Sequence, residues 1–139
     1  MAENRGEFQQ LARMRLREAR VLMRTGNFQG AYYLAGLAVE CALKACIAKN
    51  TKRHDFPPNI NAARDIYSHD LVKLIGVAKL QAILDAERNR NAVLDTNWDV
   101  VLKDWNVNSR YMVTRLNATD LYKAVAGRNG VMQWLRQRW

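Results

Sequence analysis

The sequence predicts a single domain built from α-helices alone. Apolar residues recur at intervals of three and four in most segments of the chain, which is the spacing of one face of a helix. Glycine occurs seven times and proline twice, too rarely for the tight turns that an all-β chain of 139 residues would need. With 49% hydrophobic and 25% charged residues, the chain is able to bury one core.

The first helix is predicted from Glu7 to Thr25, and Gly26 ends it. Its inner face is a stripe of apolar residues, namely Phe8, Leu11, Ala12, Leu16, Ala19, Leu22 and Met23. The opposite side carries four arginines, namely Arg13, Arg17, Arg20 and Arg24. Because these arginines have almost no acidic neighbours, the stripe is either a solvated face or a surface that binds phosphates.

The second helix is predicted to lie at the centre of the protein, with Asn27 as its cap. From Ala31 to Ala48, apolar residues occupy nearly every side of it, a pattern found in helices that other helices surround. Glu40 and Lys44 lie four residues apart on this helix, which allows an ion pair in its favourable orientation.

Charges in such a helix need partners, because an unpaired buried charge costs several kcal/mol. Arg15 falls inside the apolar stripe of the first helix, and Arg110 precedes the last helix. We expect both to complete a buried cluster with Glu40 and Lys44. Such a cluster either fixes the register of the helices or binds a ligand.

The two cysteines, Cys41 and Cys46, lie five residues apart on the same helix and so point to different sides of it. They are predicted to be free, buried thiols of a protein in the reducing cytoplasm. Residues 1–6 are polar and charged, unlike the start of a signal peptide. The charges of Glu40 and Lys44 within the most apolar stretch oppose a membrane span, so no membrane partner is expected.

A polar connector is predicted at residues 51–68, followed by a helix that begins near His69 with Ser68 as its cap. A further helix or a continuation covers Leu80 to about Arg90. Helical spacing then returns at Leu94, Trp98, Val101, Leu102 and Trp105, with Asp95 or Thr96 as the cap.

Residues 106–116 are irregular by this measure, and the last helix opens at Asn117 or Thr119. A kink or break is predicted at residues 127–130, which contain two glycines. Trp98 and Trp105 are assigned to the core. Trp134, Trp139 and Met112 are assigned to a homodimer interface, since none has an obvious place in a small bundle.

Three segments, in this order and at these separations, resemble the HEPN family (higher eukaryotes and prokaryotes nucleotide-binding). They are the central-helix segment at residues 38–45 (AVECALKA), the downstream segment at 69–74 (HDLVKL), and Ser109-Arg110-Tyr111 before the last helix. The resemblance covers most of the chain. It implies an antiparallel bundle of four or five helices, frequent dimerisation, and a place beside nucleotidyltransferases or in prokaryotic toxin–antitoxin and defence systems.

Many members of that family are metal-independent ribonucleases that pair an arginine with a histidine four to six residues later. Arg110 matches the arginine, but the residues that follow, including Arg115, contain no histidine. Arg115 stays protonated and Tyr111 lacks the imidazole that moves protons near neutrality, so neither replaces the missing proton shuttle. Arg64 and His69 have the family's spacing but lie before the third helix, where the histidine is expected to anchor the helix start.

The net charge of +9 favours an anionic partner such as RNA or a nucleotide. We therefore expect a helical module that binds a nucleotide, a nucleic acid or a nucleotidyltransferase, with little catalysis of its own. One alternative is a ribonuclease toxin with an irregular site around Arg110, Arg115 and His69; another is a non-catalytic adaptor dimer. Tyr111 and Arg115 are also candidates for the ligand-binding cluster with Glu40, Lys44 and Arg15. No cofactor is expected, and two distant histidines with distant cysteines match no metal-ligand spacing.

Overall fold

The structure, a computed structural model, describes residues 2, 4–51, 64–112 and 117–139. Across these ranges the protein is all-helical, with no strand, which confirms the predicted fold class. The helices are α1 (Arg5–Arg24), α2 (Phe28–Lys49), α3 (Leu71–Val77), α4 (Gln81–Arg90), α5 (Ala92–Asp104), a 3-10 helix (Val107–Tyr111), α6 (Ala118–Ala126) and α7 (Val131–Arg136).

Helix α2 is the centre of the bundle, as predicted. It contacts α1 along its length and also packs against α3, the 3-10 helix, α6 and α7. Fourteen of its 22 residues are buried, so partners cover most of its circumference. Asn27 stands at its N-terminus but makes no side-chain capping hydrogen bond, so packing rather than capping stabilises this helix.

Helix α1 lies along α2 with its predicted apolar stripe turned inward. Phe8, Ala12, Leu16 and Ala19 are buried. The helix starts at Asn4, whose side chain accepts a hydrogen bond of 3.0 Å from the backbone N–H of Glu7. Its last residue is Arg24, followed by Thr25 as the C-cap and by Gly26, whose φ of 81° lies in the left-handed region that favours glycine.

A close approach between α2 and the end of α5 depends on Gly36. The Trp105 indole lies where a Cβ on Gly36 would be, only 2.0 Å from its Cε2 and Nε1 atoms. The same indole donates a hydrogen bond of 3.3 Å to the backbone carbonyl of Tyr33, and the two rings stack. Trp98 and Trp105 are both buried, which confirms their assignment to the core.

Two helix caps differ from the prediction. At α3 the capping residue is Asp70 and not Ser68, because the Asp70 side chain accepts from the N–H groups of Val72 and Lys73. Ser68 instead accepts a hydrogen bond from the Asp70 N–H. At α5 the helix starts earlier than predicted, with Asn91 as its cap in place of Asp95 or Thr96.

The predicted connector lies partly outside the described residues, since these omit 52–63. Its later part includes helical and buried residues, unlike the polar connector that the sequence predicts. Residues 64–66 are helical, and Ile66 is buried in the core with 1% of its surface exposed.

The predicted break near the C-terminus is confirmed, since α6 ends at Ala126 and α7 begins at Val131. The assignment of Trp134 and Trp139 to an interface is wrong. Trp134 packs edge-on against Trp98 and donates its indole N–H to Glu87, and both tryptophans are buried within this chain. Met112, in contrast, is 45% exposed.

Helix α2 is the one helix in the described part of the chain that is long and apolar enough to cross a membrane. In the bundle, however, 78% of its apolar window is buried. A core helix of a soluble protein has these properties, since other helices supply its apolar surroundings.

Candidate functional site

The first candidate site is a basic surface on α1. Arg13, Arg17, Arg20 and Arg24 are all exposed, as their spacing predicts. None of the four forms an ion pair with a described acidic residue, so their charges are directed at solvent. This is an arrangement that attracts phosphates.

Two further arginines, Arg128 and Arg136, lie next to this surface. Together with Leu16 of α1 and Met132 of α7 they line a cleft of about 340 Å³. We call this the basic cleft, and the six arginines together the basic face. Within the described ranges, Arg128 and Arg136 also have no acidic partner.

The α1 arginines stand at different distances from the basic cleft. Arg13 and Arg20 lie three residues before and four after Leu16, so they share its side of the helix. Arg13 also lies over the Trp139 ring, 4.9 Å from the ring centroid, which ties α1 to the C-terminal segment. Arg17 lies beside a separate, mostly apolar groove with Val21 and Leu34.

The second candidate site is a cluster around a buried carboxylate. Glu40 on α2 is 3% exposed, and its Oε2 atom lies 3.2 Å from Lys44 Nζ, which confirms the predicted ion pair. Its other oxygen, Oε1, lies 2.9 Å from His69 Nδ1. Both carboxylate oxygens therefore have partners, as a buried charge requires.

The expected participation of Arg15 and Arg110 in this cluster is wrong. Arg15 pairs with Glu18, one turn along its own helix, at 3.2 Å. Arg110 is exposed and lies over the Tyr111 ring, with 4.7 Å between the guanidinium carbon and the ring centroid. Glu40 instead receives its second partner from His69, 29 residues further along the chain.

His69 connects the buried cluster to the surface. Its side chain is 47% exposed and lines a cleft of about 520 Å³ with Asp70, Lys103 and Trp105 among the other walls. With Nδ1 held by a carboxylate, the neutral ring carries its proton on Nδ1 and leaves Nε2 as the acceptor. Among the described residues, none forms a hydrogen bond with Nε2.

The remaining predicted residues are not gathered at this cleft. Arg110 and Tyr111 sit on the 3-10 helix, and Tyr111 is 71% exposed. Arg64, which has the family's spacing to His69, is exposed. Arg115 lies outside the described residues.

The two cysteines are free and buried, as predicted. Burial raises the pKa of each thiol from 9.0 to about 11. Glu40 adds to the effect at Cys41, while Lys44 and Arg15 oppose it. Neither thiol has the thiolate character that a nucleophile needs. In the described part of the chain, no group of three or more His, Cys, Asp or Glu side chains is placed to hold a metal ion.

Sequence reasoning missed Arg128 and Arg136 and the contact between Glu40 and His69. A local signal existed for the two arginines, because residues 121–139 contain no acidic residue. Arg128 lies in the break before α7, and Arg136 ends that helix. Their meeting with α1 is a tertiary contact across more than a hundred residues, and no spacing rule predicts it.

Comparison with protein-family models, with curated proteins and with solved structures finds no match to this chain.

Proposed function

We propose that this protein is a helical module that binds the phosphates of RNA or of a nucleotide on its basic face. The observation that carries the proposal is the basic cleft, where the exposed Arg128 and Arg136 lie against Leu16 of α1. The exposed Arg13 and Arg20 share the side of α1 that carries Leu16. Since those arginines have no acidic partners among the described residues, phosphate oxygens are the groups that fit them.

The charge of the whole chain supports the same proposal. A net charge of +9 draws polyanions to the protein, while the basic face gives them a defined place to bind. Arginine suits this task because its planar guanidinium group binds two phosphate oxygens at once.

The experiment is a titration of labelled RNA at several salt concentrations. Replacing Arg13, Arg17, Arg20 and Arg24 together by Gln removes up to four phosphate contacts. The slope of log affinity against log salt then flattens by up to about three for a single strand. The matched control replaces four exposed cations outside the basic face, Lys49, Lys73, Lys79 and Arg90. If both variants bind alike, or if the wild type does not bind at low salt, the proposal fails.

The resemblance to the HEPN family supports a setting for this activity. We place the protein in the cytoplasm as part of a prokaryotic toxin–antitoxin or defence system, as a homodimer, with a nucleotidyltransferase or another component of the system as its partner. Co-purification with the product of the neighbouring gene tests that setting. A pair that does not associate at micromolar concentration counts against it.

A second candidate function is metal-independent RNA cleavage, and the contact between Glu40 and His69 favours it. A carboxylate that holds Nδ1 stabilises the imidazolium which forms when Nε2 takes a proton from a substrate hydroxyl. In RNA that hydroxyl is the 2′-OH, whose oxygen attacks the adjacent phosphorus while the 5′-oxygen leaves with a proton from water.

The test compares RNA cleavage by the wild type with His69→Ala, Glu40→Gln and Arg110→Ala. Cleavage that falls on the order of a hundredfold in His69→Ala and less in Glu40→Gln supports this second candidate. Cleavage that depends on Arg110 but not on His69 would place the active site at Arg110 and not at the contact between Glu40 and His69. A wild type that does not cleave RNA leaves the binding module as the function.

A further inference from the structure

The basic cleft contains more than positive charge. Its volume of about 340 Å³ is at the lower end of the range of about 300–1,000 Å³ that small-molecule sites occupy. Leu16 and Met132 form an apolar floor, since both are buried among the surrounding helices. A cleft of this size admits one nucleotide unit and excludes a double helix.

The walls of the cleft offer the groups that bind a base. Arg128 and Arg136 line it, and the planar guanidinium group of an arginine is a surface on which nucleobases stack. Gln133 lines the same cleft, and its Oε1 accepts a hydrogen bond of 2.8 Å from the Asn129 N–H. That bond fixes the orientation of the amide and leaves its NH₂ group as a donor for the edge of a base.

We propose that the basic cleft takes one unstacked base of a single-stranded nucleic acid, while Arg13 and Arg20 bind the phosphates on either side. The inference rests on the proposed function and adds that the ligand is single-stranded. In a duplex the bases are already paired and stacked, so only its phosphates reach the basic face. Single strands gain the stacking contact in addition to the same phosphate contacts.

The experiment measures fluorescence anisotropy of a labelled RNA about twelve nucleotides long, which is within the site sizes of single-strand binders. The RNA is used alone and annealed to its complement. Wild-type protein is expected to bind the single strand about fivefold or more tightly than the duplex, since one stacked base is worth at least that factor.

Two double variants remove equal charge from different places. Arg128→Gln with Arg136→Gln is expected to abolish the preference for the single strand. Arg17→Gln with Arg24→Gln is expected to weaken binding of both RNAs by a similar factor, because these two residues lie further from Leu16. Unchanged helical circular dichroism shows that each variant is folded.

Equal affinity of the wild type for both RNAs overturns the inference but leaves the proposed function standing. The inference is also overturned, with the proposed function left standing, if Arg128→Gln with Arg136→Gln weakens the binding of both RNAs by the same factor. No binding of either RNA at low salt rejects both proposals. Independently, adenosine monophosphate should shift the methyl NMR signals of Met132 and Leu16 in the wild type; an unchanged spectrum at millimolar nucleotide also overturns the inference.

Discussion

Gly36 and Gly76 have opposite surroundings, and the two positions make a matched test of packing. A Cβ on Gly36 would meet the Trp105 indole at 2.0 Å, whereas a Cβ on Gly76 would meet nothing within 4 Å. We expect Gly36→Ala to lower the free energy of unfolding by about 1–3 kcal/mol or more, because Trp105 must leave its place. Gly76→Ala should raise it by about 0.5–1 kcal/mol, since alanine favours a helix. Urea denaturation measures both.

Tryptophan fluorescence supplies the control for that pair. Gly36→Ala should change the emission of the native state, because the contact of Trp105 with Tyr33 is lost, and Gly76→Ala should leave it unchanged. Equal stability of the two variants would contradict the close packing of α2 against Trp105.

The buried thiols predict a loss of stability in alkali. Burial raises the pKa of Cys41 and Cys46 from 9.0 to about 11, so between these pH values the unfolded chain binds fewer protons than the folded protein. Their stabilising contribution is complete below pH 9 and declines as the pH rises toward 11. By pH 10.5 the loss is about 2 kcal/mol per thiol.

The measurement compares the wild type with the double variant Cys41→Ala, Cys46→Ala in urea at pH 8 and pH 10.5. The free energy of unfolding should fall further in the wild type than in the variant. Other titrating groups are common to both proteins and cancel in the difference. Parallel pH profiles would show that the thiols are not held in the protonated form by burial.

Substitutions at the start of α3 show which residue caps this short helix. Asp70 accepts hydrogen bonds from two N–H groups of the first turn, whereas Ser68 accepts one from Asp70 itself. Asp70→Ala should therefore cost about 1–2 kcal/mol of stability, and Ser68→Ala clearly less. Thermal unfolding of the two variants decides the question. A larger loss of stability for Ser68→Ala would show that Ser68, which the sequence pattern favours, is the more important cap.

The elements differ in how far the sequence predicts them. Helices α1 and α2 follow from periodicity and composition, which are local properties of the chain. The caps at Asp70 and Asn91 were missed because several residues able to cap a helix stand side by side, and the fold selects among them. Trp134 was misplaced because its partners, Trp98 and Glu87, come from other helices.

The candidate sites likewise combine features that the sequence predicts with features that it does not. The exposed arginine stripe of α1 and the ion pair between Glu40 and Lys44 are spacings within one helix, so the sequence predicts them. His69 reaches Glu40 from another element, and Arg128 and Arg136 reach α1 from the far end of the chain. Such meetings depend on how helices pack, which a pattern of spacings does not contain.

The homodimer stays a prediction, but different residues now support it. Trp134 and Trp139 are buried within one chain, but Tyr111 and Met112 are adjacent and exposed. We expect sedimentation at micromolar concentration to give twice the mass of the 16.0 kDa chain. Replacing Tyr111 and Met112 by Glu should shift the population toward the monomer. A 16.0 kDa species in the wild type would contradict the dimer.

The central position of α2 affects the nascent chain during its synthesis on the ribosome. Its partner α1 is made just before it, but α6 and α7, which cover another part of its surface, are made about seventy residues later. During that interval the nascent chain exposes apolar surface of α2 that the finished bundle hides. Such surface is what chaperones bind and what drives aggregation of incomplete chains. Synthesis stalled before α6 should therefore yield chains that need a chaperone to stay in solution.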